Sequence, residues 1–367
     1  MERIKIGITQ GDINGIGYEL ILNTFETEEM ASLCTPVIYG SPKVATYHRK
    51  SLGLQTSFQV VDSADRAKEG HLNMVNCFGE DESKIELGQA TDEAGQAALI
   101  SLDAALADLQ EGKIDALVTS PINNATIQLA EGKTFKGQTT YIEEVTGQER
   151  KALKIFISGN LRIALATDKM PVSEIPAHIT KDSLAERLVI LHNTLKRDFF
   201  IDNPRIAVLA LNPHADDKEE LEIIKPVIDE LFKRGVRCVG PYPADEFFGT
   251  ENHKHFDAVL AMYYDQGVSA FKSIAHDEGI NYTAGLPILR TAPAIGVGYD
   301  IAGKSMLEDV QPLRQAIYTA IDVFRNRINY DEPFENPLPK LYHEKRDEGE
   351  KIRFSIPKKH ENSIKEK

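Results

Sequence analysis

The sequence predicts an α/β protein with a mostly parallel sheet, and three observations carry that prediction. Short β-branched runs alternate with longer helix-spaced runs, several of the short runs end in polar loops, and 367 residues suggest two lobes rather than one. Ile4–Thr9 has the apolar, β-branched make-up of a buried strand, Tyr18–Thr24 reads as a helix, and Val37–Tyr39 reads as a second strand. Between Thr91 and Leu109, the residues Ala94, Ala98, Leu102, Ala105, Leu106 and Leu109 recur at helical spacing. Asp115–Thr119 is strand-like and stops at Ser120-Pro121, because a residue before proline is pushed out of the helical region. Arg162–Thr167, Arg205–Leu211 and Ala258–Tyr263 repeat the pattern of a short apolar run followed by a polar loop. Leu313, Ala316, Ile317, Ala320, Ile321 and Phe324 form the apolar stripe of a core-facing helix. After Asn329 come Pro333, Pro337 and Pro339 and then a charged run, which predicts an extended tail over 331–367.

A hydrophobic fraction of 42% with 27% charged residues is enough to bury a core. The net charge of −14 argues against nucleic acid or an anionic membrane as a partner, although a local cluster of Lys and Arg can still bind an anion. Cys34, Cys77 and Cys238 are far apart, odd in number and in no ligand spacing, so each is expected as a small buried apolar residue. The N-terminal residues turn polar too soon for a signal peptide, and no apolar run approaches a membrane span, so the cytoplasm is the expected compartment.

In a parallel sheet, ligands bind beyond the carboxyl ends of the strands, so the loops there are the places to look for chemistry. Gln10–Glu19 (QGDINGIGYE) follows the first strand. Its glycines could cradle an anion or could serve a tight turn, and the spacing is not that of a Rossmann fingerprint. Leu211–Asp217 (LNPHADD) sets His214 beside acids, which suits a metal ligand, a proton carrier or a hydrogen-bonded structural histidine. Tyr263–Gly267 (YYDQG), then Lys272, Asn281 and Arg290, offer an acid followed by two cations and an amide, a set suited to a phosphorylated or carboxylated substrate. His253 and His255 form an HxH pair, either a metal site or a solvated loop.

Taken together, ITQGDINGIGYEL, LVTSPIN, FKGQTTYIEE, LNPHA, AMYYDQG, GLPILRTAP and YDIAGK resemble the 4-hydroxythreonine-4-phosphate dehydrogenase family of pyridoxal phosphate biosynthesis, from about Lys5 to Asn329. The resemblance implies a two-lobed fold like isocitrate and isopropylmalate dehydrogenases, with an active-site cleft between the lobes. It implies a cofactor-side lobe of residues 1–125 plus 282–330, a substrate and dimerisation lobe of residues 126–281, and a homodimer with the site at the subunit interface. The implied reaction is NAD-dependent oxidation of a small phosphorylated 3-hydroxy acid, followed by loss of CO2, with a divalent metal held by three histidines. His214 falls on a metal-ligand position. Gln138, Thr139, Lys272, Asn281 and Arg290 fall on substrate-contacting positions, and Asp265 on the aspartate of a catalytic motif.

This chain departs from the family's pattern where the metal would sit. Lys169 and Tyr264 occupy the other two ligand positions, Gln138 stands for a histidine, Asn124 for a lysine, and Ile295 for the histidine of a loop near the cofactor. An ammonium about 4 Å from a divalent cation would be repelled by about 8 kcal/mol at an effective dielectric near 20. Two readings follow. In one, the chain is a dehydrogenase in which Lys169, Tyr264 and Asp265 carry the catalysis, Lys169 standing in for the metal. In the other, it is a catalytically impaired relative that binds a phosphorylated metabolite or an active partner subunit.

Overall fold

A computed structural model of the chain describes residues 3–79, 84–129, 133–276, 278–307 and 309–335. Its strands are β1 (Lys5–Thr9), β2 (Thr35–Gly40), β3 (Gln59–Val61), β4 (Asn73–Asn76), β5 (Ala116–Thr119), β6 (Leu153–Ser158), β7 (Leu161–Leu165), β8 (Ile206–Leu209), β9 (Cys238–Tyr242), β10 (Ala258–Ala261), β11 (Ile280–Ala284) and β12 (Arg290–Pro293). They form one sheet in the order β3-β4-β2-β1-β5-β12-β11-β6-β7-β10-β8-β9. The pairings are parallel except at β12–β11, β11–β6 and β6–β7. The fold is therefore the expected α/β type with a mostly parallel sheet.

The antiparallel seam was not expected, and it has a directional consequence. Three reversals between β12 and β7 make the strands on one side of the seam run opposite to those on the other. The carboxyl ends of β7, β10 and β8 are therefore level with the amino end of β12, not with the carboxyl ends of β1 and β5. Loops that follow strands do not all open on one side, as a wholly parallel sheet would require. The seam hairpin β6–β7 turns through Gly159-Asn160, with Gly159 at φ +53°, the positive value that a two-residue hairpin turn favours.

The helices follow from caps and stripes in the sequence. Asp92–Gln110 starts where the Thr91 hydroxyl accepts from the Ala94 amide, and it buries its alanine and leucine face. Lys181–Arg197 opens with a reciprocal Thr180–Ser183 cap. Gln311–Glu335 covers β12, β11 and β5 with Leu313, Ala316, Ile317 and Ala320. That helix extends to Glu335, so the expected tail begins later than residue 331, because Pro333 near its end does not stop it. The remainder of the tail lies outside the described residues. Among the described residues no helix is long and apolar enough to cross a membrane. Cys34 and Cys238 are buried as expected, whereas Cys77 is half-buried because it lies just past β4 at the margin of the core.

Candidate active site

Residues paired across neighbouring strands project from the same face of a sheet. Arg290 on β12 pairs with Thr283 on β11, and Thr283 pairs with Lys154 on β6, so the three form a row across the seam. Asn281 lies two residues from Thr283 and shares its face. Thr291 and Tyr282 face the other way, toward Ala316 and Asp198. Polar and cationic side chains thus gather on one face of the seam, while its other face packs into the helical layer.

Arg290 is 2% exposed. Its Nε and Nη2 donate to Thr119 Oγ1 at 3.0 and 2.6 Å, its Nη1 donates to Thr283 Oγ1 at 3.1 Å, and Nη2 also reaches Gln138 Oε1. Gln138 is fixed in turn, accepting from the Thr119 hydroxyl at 2.7 Å and donating to the Ser120 carbonyl at 3.0 Å. Among the described residues no carboxylate pairs with Arg290, and burial pushes its guanidinium down to about 9. Such a charge is costly to hold in the interior unless an anion joins it. Two buried polar atoms nearby, Ser120 Oγ and Asn281 Oδ1, find no partner among the described residues. Thr139 is the second residue of the helix Gln138–Thr146, and Lys272, on the helix Tyr264–Ala275, donates to the Ala294 carbonyl just beyond β12.

Lys169, Tyr264 and Asp265 come together at the other side of the row. The loop after β7 is strapped to β10 by the Thr167 amide and hydroxyl, which both donate to the Met262 carbonyl, at 3.2 and 2.8 Å. This brings Asp168, Lys169, Tyr263, Tyr264 and Asp265 around a cavity of about 230 Å³. The Lys169 ammonium lies 5.0 Å from the centroid of the Tyr264 ring, within cation–π range. The Tyr264 ring meets Phe156 edge-on at 6.2 Å. Asp168 does not hold the Lys169 ammonium. One of its carboxylate oxygens accepts from the Lys169 backbone amide at 2.8 Å, and the other accepts from Lys154.

Lys154 was invisible to motif reading because it is one charge inside the run Leu153–Ser158. The signal was alternation: Leu153, Ile155 and Ile157 face the core, which turns Lys154 and Phe156 to the other side. Burial pushes the Lys154 ammonium below its usual range, against the pull of Asp168 and with help from Arg290 and Lys169.

Other expected residues lie elsewhere. His214 is exposed in the loop after β8 and is not among the residues lining the cavity. That loop is held by Glu220, which accepts from the Leu211 and Asn212 amides at 2.8 Å each. The first glycine turn is filled by protein. A Cβ on Gly17 would meet the Gln10 carbonyl at 2.3 Å, and one on Gly11, at φ +72°, would meet the Pro121 carbonyl at 2.6 Å. Asp12 in that turn accepts from the Asn14 amide and the Tyr299 hydroxyl. Burial pushes its carboxyl up, and those two bonds oppose the shift. The turn serves packing rather than an open anion cradle. His253 packs against Phe248, and among the described residues no three His, Cys, Asp or Glu side chains group as metal ligands.

The model of the family described as "Pyridoxal phosphate biosynthetic protein PdxA" matches residues 32–320. The chain belongs to this family. A 4-hydroxythreonine-4-phosphate dehydrogenase from Bacteroides thetaiotaomicron is 52% identical over 357 residues, covering 96% of this chain and 97% of that protein. A crystal structure of a 4-hydroxythreonine-4-phosphate dehydrogenase from Burkholderia phymatum superposes with a TM-score of 0.71 at 28% identity, covering 88% of this chain and 99% of that one. The same enzyme from Klebsiella pneumoniae gives a TM-score of 0.75 over 88% of this chain and 100% of that one, and at 24% identity it supports the fold alone. The family is one of oxidoreductases, and the membership read from the motifs is borne out.

Proposed function

We propose that this chain oxidises a phosphorylated 3-hydroxy acid with NAD, on the substrate that its relatives' names carry, 4-hydroxythreonine 4-phosphate. The observation that supports this most is Arg290, a buried guanidinium that among the described residues is hydrogen-bonded only to the neutral groups of Thr119, Thr283 and Gln138. It anchors the phosphoryl group, with Gln138, Thr139, Lys272 and Asn281 bordering it. NAD, which the family resemblance implies, accepts the hydride when bound. The loop after β12 leaves room for it, because Gly296 is exposed and a Cβ there would meet nothing within 4 Å.

The residues present do not fit a divalent metal at the position the resemblance implies. Lys169 brings an ammonium there, Lys154 brings a second one within electrostatic reach, and His214 does not line the cavity. The chemistry is therefore assigned to side chains. The Lys169 ammonium faces the charge that develops on the alcohol oxygen as hydride leaves the adjoining carbon. The hydroxyl proton departs through Tyr264 toward the exposed carboxylate of Asp265, which lines the same cavity. Oxidation gives a β-keto acid, whose C–C bond to the carboxylate breaks with release of CO2 and leaves an enolate for the same cation to stabilise. The two-lobed division at residues 125 and 281 and a homodimer that shares the site belong to this proposal.

The test is steady-state NAD reduction by Arg290→Lys. A lysine keeps the charge and loses the forked geometry, so kcat/KM should fall about ten- to a hundredfold, mainly through KM. An unchanged KM for the phosphorylated acid would remove Arg290 from the substrate site.

A further inference from the structure

Two cations stand in one row across the seam, and only one of them has a carboxylate. Lys154, its side chain 16% exposed, gives its ammonium to Asp168, whose own side chain is 44% exposed. Arg290 has neutral partners alone among the described residues. Lys169 stacks on Tyr264, and Lys272 reaches a backbone carbonyl. Lys154, Arg290 and Lys169 act on one another electrostatically, and against these three cations the site sets two carboxylates, Asp168 and Asp265, so positive charge is in excess even before Lys272 is counted. An excess of this kind attracts a ligand with more than one negative group. Lys154 and Arg290 lie two strands apart, roughly 10 Å between backbones, and their side chains project to the same side.

We propose that Lys154, held by Asp168 against the seam, is a second anion-binding residue of the site. Arg290 and Lys154 then select a ligand with two separate acidic groups, the phosphoryl on Arg290 and the carboxylate on Lys154. This rests on the reading of Arg290 as the phosphoryl anchor and extends it. The carboxylate reaches Lys154 over the half-exposed edge of Asp168 and shares the ammonium, which has three protons to donate. Lys154 binds the substrate's carboxylate in the oxidation step, remote from the carbon that gives up hydride, and releases it when that group departs as CO2. Its placement also leaves the Lys169 ammonium free for the alcohol oxygen.

The experiment is calorimetric binding to the full chain with three probes. They are inorganic phosphate, a phosphorylated 3-hydroxy acid, and the phosphate monoester of the matching alcohol without the carboxylate. In the wild type the acid should bind more tightly than the monoester. Lys154→Met should weaken the acid about ten- to a hundredfold while leaving the monoester and phosphate within about twofold. The paired substitution Lys154→Met with Asp168→Asn removes both charges together, and it should give the same pattern if the single variant folds poorly. Equal weakening of acid and monoester, or no weakening of either, overturns the role of Lys154. Failure of phosphate and the monoester to bind the wild type overturns the reading of Arg290 instead, and this inference falls with it.

Discussion

At Arg290 the chain keeps a guanidinium out of water with three neutral neighbours, an arrangement that disfavours the unliganded state. A charge in that setting is stabilised by a ligand that brings its own negative charge, and this is why Arg290→Lys should act on KM. The sequence singled out Arg290 because Lys272, Asn281 and Arg290 stand in the order of the family's substrate-contacting positions. Thr119 and Thr283, which hold the guanidinium, were not legible, because a threonine in a strand is ordinary. Lys154 was hidden for a related reason. One lysine in an apolar strand reads as a solvated edge residue until the pairing of β6 with β11 shows which way it faces. Which ammonium Asp168 meets was also out of reach of sequence, since adjacency to Lys169 along the chain does not fix it: its carboxylate pairs with Lys154.

At the scale of elements, the parallel strands were legible from β-branched runs and the long helices from their stripes, but the seam was not. The Gly159-Asn160 pair between two apolar runs was the available signal for β6–β7, and a βαβ reading passes over it. Another element depends on a single histidine. His48, on the helix Pro42–Ser51, is 1% exposed, and its Nε2 donates to the Ile13 carbonyl at 2.8 Å, tying that helix to the first glycine turn. Its ring packs near Tyr18 and Tyr47, and among the described residues its Nδ1 has no partner. Burial lowers its affinity for a proton, against the pull of the Ile13 bond, so the folded chain binds that proton less readily than the unfolded one. The stability from a neutral His48 is then fully present above the ordinary value of 6.5 and is lost as pH falls below it. His48→Gln, which can still donate to Ile13, should lower Tm at neutral pH and flatten its decline into acid. Parallel pH slopes for wild type and variant would show that His48 does not govern this loss. His192 also shifts downward through burial, so the variant is compared with the wild type rather than with a flat line.

At the scale of the whole molecule, the seam joins two parallel halves that run in opposite directions, and a buried polar cluster fastens it from behind. The Tyr282 hydroxyl donates to Asp198 at 2.5 Å, and Arg327 donates to the two oxygens of that carboxylate at 2.7 and 3.1 Å. These residues come from β11, the end of the helix Lys181–Arg197, and the helix Gln311–Glu335, so three distant stretches meet at one carboxylate. Removing its charge leaves Arg327 buried without a full partner. Asp198→Asn should therefore cost about 3–5 kcal/mol in denaturant unfolding, with an unchanged m value. A loss below about 1 kcal/mol would mean that the cluster does not hold the seam.

The proposed metal-free chemistry is also a matter of this scale, because the seam brings Lys154 within electrostatic reach of Lys169 and Arg290 while His214 stays on an exposed loop. The most direct test is NAD reduction by the purified chain with a phosphorylated 3-hydroxy acid in the presence of a strong chelator. Catalysis by side chains predicts that turnover continues, is unchanged when divalent metal is added back, and disappears in Lys169→Ala. Turnover that stops with chelator and returns with metal would contradict the account, and so would a complete lack of turnover under either condition.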